Sequence, residues 1–191
     1  FVAASDVYKR QDLSTATDEN YIELAQILEG EFGSLDGLVH NASILGQRTP
    51  ISNYESRTWQ LVMQVNITAP FMMTQALLPL LETSNDASII FTSSSVGAQG
   101  KAYWGAYSVS KFATEGMAQV LSEETENTSK IRVNIVNPGA TRTNMRAQAY
   151  PGEDPGLNIA PEDIMPTYQY LLGPDSKGVT GQRFNAQEMS T

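Results

Sequence analysis

Apolar and polar positions along the chain fall into blocks with two periods. YIELAQILEGEF, residues 21–32, spaces its apolar residues as a helix does, with Asp18 as N-cap and Gly33 as stop. GLVHNAS, residues 37–43, is a short apolar run that turns polar at its end. Residues 55–82 read as one long, mostly apolar helical stretch whose continuity Pro70 and Pro79 leave open. ASIIFTSSS (87–95) and IRVNIVNPG (131–139) are again apolar runs with polar ends, and between them a helix extends to about residue 127. A Pro- and Gly-rich loop at 150–161, a short helix at 161–173 and a last strand at 178–186 complete the pattern.

Strands and helices therefore alternate, and the strands are short and nearly continuously apolar. That combination predicts an α/β fold, a doubly wound parallel sheet with helices on both faces. Three strands end in HNAS, TSSS and NPGATRT. Ligands bind outside the carboxyl ends of such strands, so these polar ends are expected to meet on one rim and form a site.

Composition narrows the function. The chain has 191 residues, enough for one sizeable core and too few for two, so it is read as a single domain spanning 1–191. A formal net charge of −9 argues against nucleic-acid and anionic-membrane partners. Cysteine is absent, which excludes a disulfide framework, a thiol nucleophile and a cysteine-ligated metal, and no metal site is expected. The absence of cysteine fits the cytoplasm, the expected setting. The most apolar run, 69–81, is too short to span a membrane.

The helix after the second strand carries Tyr107 and Lys111, four residues apart and so on one face. Such a pair can be an ordinary surface pair. Alternatively, a cation fixed beside a phenol favours the phenolate, lowers its pKa and equips it for acid–base work near neutral pH.

The ordered motifs decide between these readings. The chain resembles the short-chain dehydrogenases/reductases, in their compact single-domain branch. HNAS at 40–43 stands where the family has NNAG, and Asn66 in QVNITAPF matches the Asn of its long helix. Ser94 matches its serine, YSVSK at 107–111 its YxxxK motif, and NPGATRT at 137–143 its PG…T segment. Ser94 and Tyr107 stand 13 positions apart, the spacing that selects the compact branch.

The resemblance implies a Rossmann-type domain and hydride transfer between NADP or NAD, NADP favoured, and a small-molecule alcohol or carbonyl substrate. The implied catalytic residues are Tyr107 as general acid/base, Lys111 favouring the phenolate, and Ser94 donating to the substrate oxygen. Asn66 is implied to hold a water that links Lys111 to solvent. Implied cofactor contacts are Asp12 and Leu13 at the adenine, Asn41, Ala42 and Ser43 on the adenosine side, and Tyr107 and Lys111 at the ribose. Pro138, Gly139, Thr141 and Thr143 are implied on the nicotinamide side. Ser43 replaces the family's usual Gly, which is costly if that position needs a positive φ. His40, the single histidine, is read as structural. The family also implies a homodimer or homotetramer.

One family feature is not found: a glycine-rich turn between a strand and a helix, which receives the cofactor pyrophosphate. The resemblance implies roughly 70 further residues upstream, the size of two βα units. The chain is accordingly expected to be a truncated Rossmann-type domain lacking those units, with GLVHN as an exposed sheet edge. Residues 1–11 are expected to be non-native or disordered. The alternative is a dinucleotide-binding fragment without activity of its own.

Overall fold

The computed structural model describes residues 12–189. The expectation for residues 1–11 lies outside them.

Among the described residues four parallel strands form the sheet: β1 (Gly37–His40), β2 (Ser88–Thr92), β3 (Arg132–Asn137) and β4 (Arg183–Asn185). They lie in the order β1-β2-β3-β4, with Leu38 opposite Ile89 and Phe91 opposite Ile135. Alternation along β2 and β3 makes the sheet two-faced. Ile89, Phe91, Val133 and Ile135 pack with Leu77, Leu81 and Leu121 on one side. Ile90 and Val136 pack with Ile164, Tyr168 and Leu171 on the other. Burial on both faces is why these strands read as unbroken apolar runs. Among the described residues β1 pairs with β2 alone, and Val39 is 37% exposed, so β1 is the edge the sequence suggested.

Helix α1 (Asp18–Phe32) is capped by Thr17 rather than Asp18. The Thr17 N–H donates to the Asn20 side chain at 3.0 Å, while Asp18 and Glu19 occupy the first turn, where negative charge is favourable. Gly33 ends the helix at φ 71°, as expected.

The long apolar stretch is one continuous helix, Ser56–Glu82, of 27 residues. It consists of α2 (Ser56–Met63), a π-helical turn (Gln64–Thr68) and α3 (Ala69–Glu82). Pro70 has no N–H for the carbonyl of Asn66, and the wide turn sits where that bond is missing. By length and composition this helix could cross a membrane, which the shorter run at 69–81 did not suggest. In the fold, Leu77, Leu80 and Leu81 bury it against the sheet, and α1 lies alongside it.

Helix α4 (Gly105–Glu126) covers the same sheet face. The short α5 (Asn144–Ala149), which the sequence pattern did not show, is capped by Thr143, whose hydroxyl accepts from Arg146 N–H. Helix α6 (Met165–Leu172) covers the other face. Arg132, buried at the start of β3, ties that helix down. It donates to the Leu171 carbonyl at 2.8 Å and to the Ser176 hydroxyl, and pairs with Asp86 at 2.9 Å.

Candidate active site

The carboxyl ends of β1, β2 and β3 open into one cleft-shaped cavity of about 680 Å³. From β1 come Asn41, Ala42 and Ser43; from β2, Thr92, Ser93 and Ser94. From β3 come Pro138, Gly139, Thr141 and Thr143, and α4 contributes Tyr107 and Lys111. The expected convergence of polar strand ends is what the fold produces.

Lys111 is 4% exposed, and its ammonium donates to the Thr92 carbonyl at 2.8 Å. Nζ lies 5.5 Å from the centre of the Tyr107 ring. Burial dominates both groups. It pushes the Tyr107 phenol up to about 12, with the Ser94 hydroxyl pulling the other way. It pushes the Lys111 ammonium down to about 8. The phenol is therefore raised and not lowered, in contrast to what the neighbouring cation alone would do, because desolvation dominates. At neutral pH Tyr107 is the protonated phenol and Lys111 is charged.

Ser94 caps the 3₁₀ turn Ser95–Gly97 that follows β2. Gly97 lets this turn press on α4: a Cβ there would lie 2.6 Å from Ser93 Oγ and 3.0 Å from Lys111 Cβ. Close approach at Gly97 thus brings the serine turn against the Tyr107–Lys111 face.

Asn66 sits in the π turn, and its carboxamide is fully engaged. Oδ1 accepts from Ile44 N–H at 2.8 Å, and Nδ2 donates to the Ile44 carbonyl and to Ser110 Oγ, both at 3.0 Å. Ser110 in turn donates to the Tyr107 carbonyl at 2.8 Å. Asn66 therefore joins the segment after β1 to the first turn of α4.

A family model described as "short chain dehydrogenase" matches residues 4–154. The chain belongs to the short chain dehydrogenase family. It is 55% identical over 176 residues to YciK, an uncharacterized oxidoreductase of Escherichia coli K12, covering 92% of this chain and 69% of that protein. A short chain dehydrogenase structure from Pseudomonas syringae superposes with TM-score 0.92 at 60% identity, covering 94% of this chain and 72% of that one. A short chain dehydrogenase from Shigella flexneri 2a, crystallised with NADP, gives TM-score 0.89 at 54% identity, with 93% and 73% covered. The chain is thus an oxidoreductase of this family with its α/β Rossmann-like fold.

Two motif residues of this dehydrogenase lie away from the cavity. Asp12 stands in a turn where it accepts from the Ser14 hydroxyl, and Leu13 packs with Tyr21 and Ala69. Ser43 carries no backbone strain, since Tyr103 is the single non-glycine residue of positive φ among those described. His40 faces away from the cavity, hydrogen-bonded to Thr74 Oγ1 at 2.8 Å and stacked on Phe91 at 4.8 Å. Its structural reading agrees with this placement.

The cavity also has walls that no motif announced: Leu45, Met145, Arg146 and Ala149 at one end, Ile164, Met165, Tyr168 and Leu172 at the other. Trp104 joins the first group and lies 5.7 Å from the Tyr107 ring.

Proposed function

We propose that this short chain dehydrogenase reduces a carbonyl substrate with NADPH, or with NADH, using Tyr107 as general acid. The observation that carries this reading is the meeting of Ser94, Tyr107 and Lys111 on one cavity at the strand carboxyl ends. A bound nicotinamide supplies or accepts the hydride. Pro138, Gly139, Thr141 and Thr143 line the same cavity as Tyr107 and Lys111 and are proposed to hold that end of the cofactor. Gly139 turns at φ 71° where a Cβ would lie 2.5 Å from the Gln187 side chain, and Thr141 and Thr143 line the wall beside it. The preference for NADP draws on the NADP complex of the Shigella flexneri relative.

Ser94 donates to the substrate oxygen, where negative charge develops. Tyr107 gives its proton to that oxygen, and its protonated state at neutral pH suits this direction. The Lys111 cation stabilises the phenolate that remains. Replacing the proton requires a route from solvent. Asn66 is the residue proposed to hold a water on that route, although both of its side-chain N–H groups are already engaged. A homodimer or homotetramer is part of the same proposal, supported by the exposed Phe71, Val109, Phe112 and Val120 on α3 and α4.

The test is carbonyl-dependent oxidation of NADPH by the purified protein and by Tyr107→Phe. A loss on the order of 10²–10⁴-fold in kcat, with NADPH binding by nicotinamide fluorescence retained, is expected. Undiminished turnover in Tyr107→Phe would overturn the assignment.

A further inference from the structure

The charge distribution around the cavity runs against that of the chain. Aspartate and glutamate outnumber lysine and arginine 21 to 12, yet among the described residues the charged side chains lining the cavity are Lys111 and Arg146, with no carboxylate. Lys111 belongs to the reacting end. Behind the Trp104 wall three cations gather round the Tyr150 ring, and of these Arg146 lines the cavity itself. The Arg48 and Arg146 guanidinium carbons lie 5.3 Å and 4.0 Å from its centre, and Lys101 Nζ 5.8 Å.

One carboxylate stands among them, and it is taken by Arg146. Glu153 is bound by two N–H groups of Arg146, at 2.6 Å and 2.5 Å, and also accepts from Asn158. Among the described residues no carboxylate pairs with Arg48 or Lys101. Arg48 is held in place all the same, 4.3 Å over the Trp104 ring, with Nη1 donating to the Ala149 carbonyl at 2.6 Å. Independently, the Trp104 indole N–H is buried without an acceptor, in a residue 8% exposed on the cavity wall. A buried donor left unpaired is costly, and a positioned guanidinium is suited to bidentate binding of a carboxylate. Donors exceed acceptors at this end, while Leu45, Met145 and Ala149 make the adjoining wall apolar.

We propose that the Arg48–Trp104–Lys101 corner binds a carboxylate, making the substrate an oxo or hydroxy acid with an apolar body. Two ring contacts, 5.7 Å from Tyr107 to Trp104 and 4.3 Å from Trp104 to Arg48, link the reacting end to this corner. The acid group is therefore remote from the reacting carbon. The inference rests on the reductase reading for the word substrate and not for the binding site itself.

Binding tests it without turnover. The sequence has two tryptophans, so Trp59→Phe leaves Trp104 as the sole indole reporter. This protein is titrated with octanoate and with 1-octanol in the absence of cofactor. Octanoate is expected to bind about tenfold tighter or better, an advantage that added salt reduces. Arg48→Gln is expected to abolish that advantage and Lys101→Gln to diminish it. Equal affinity for acid and alcohol overturns the proposal, as does an octanoate preference unchanged in both variants. Failure of NADPH-dependent reduction alone removes the reductase reading and leaves the carboxylate site standing. Loss of the acid preference alone does the reverse.

Discussion

The Ser93 hydroxyl donates to the Glu115 carboxylate at 2.6 Å in the protein interior. The same carboxylate oxygen accepts from Arg183 Nε at 3.0 Å, and Arg183 Nη2 reaches the Ser94 carbonyl at 3.3 Å. A strand end, a helix and the last strand thereby hold the backbone on either side of the Ser94 side chain. A misplacement of about 1 Å near reacting atoms costs up to about a hundredfold in rate. Glu115→Ala is predicted to lower kcat by about tenfold to a hundredfold with little change in KM. Glu115→Gln keeps an acceptor for Ser93 and should recover much of the loss. Steady-state kinetics of both variants, with thermal midpoints measured alongside, check this; wild-type kcat in Glu115→Ala would mean that Ser94 is held without the carboxylate.

His40 makes stability depend on pH in a defined window. Burial depresses its folded pKa from 6.5 to about 4, so the neutral imidazole is the folded form. Between those values the unfolded chain binds the extra proton and the folded chain does not. The contribution is complete above pH 6.5 and is lost as pH falls towards 4, amounting at most to roughly 3 kcal/mol. Urea unfolding at a series of pH values should show this slope in the wild type and a flatter one in His40→Gln. Parallel curves for the two proteins would remove His40 as the source.

What could be read in the sequence was whatever depends on period or on near neighbours. SIIFT and RVNIVN announced β2 and β3 because parallel strands buried on both faces are continuously apolar. Tyr107 and Lys111 were legible because helical spacing fixes a shared face. Helix α5 was not, since six residues carry no readable apolar period and a cap at Thr143 defines its start. The strand expected at 178–186 shrinks to Arg183–Asn185, where β4 pairs with β3. Glu115 with Arg183 and Arg48 with Ala149 are joined across 68 and 101 positions, and no local pattern encodes such contacts. The pKa direction at Tyr107 was missed for a related reason: spacing supplies the neighbour and says nothing about burial.

Asn66 holds both main-chain polar groups of Ile44, a residue of the segment that follows β1 into the cavity wall. Alanine at this position leaves the N–H and carbonyl of Ile44 and the Ser110 hydroxyl short of partners. Asn66→Ala is predicted to destabilise the protein by about 2–4 kcal/mol, seen as a lower urea midpoint at unchanged slope. Asn66→Asp preserves shape and the Ile44 N–H bond but presents an acceptor to the Ile44 carbonyl, so it should be no better than alanine. A full rescue by aspartate would show that shape at the π turn, and not the pair of bonds, sets the stability.

Tyr103 occupies the left-handed region at φ 70°, immediately before Trp104 and the start of α4 at Gly105. A bulky residue there costs about 1–2 kcal/mol, and its ring, 56% exposed, offsets little of that by burial. Asparagine tolerates this conformation, so Tyr103→Asn is predicted to stabilise the ligand-free protein by about 1 kcal/mol. Strain of this kind gathers at ligand-binding loops, and Tyr103 precedes a wall residue of the cavity. If the tyrosine is retained for substrate, the stabilised variant should show a raised KM with kcat nearly unchanged. Urea unfolding measures the first effect and steady-state kinetics the second. A gain in stability with both kinetic constants intact would make Tyr103 a strained residue without a part in binding.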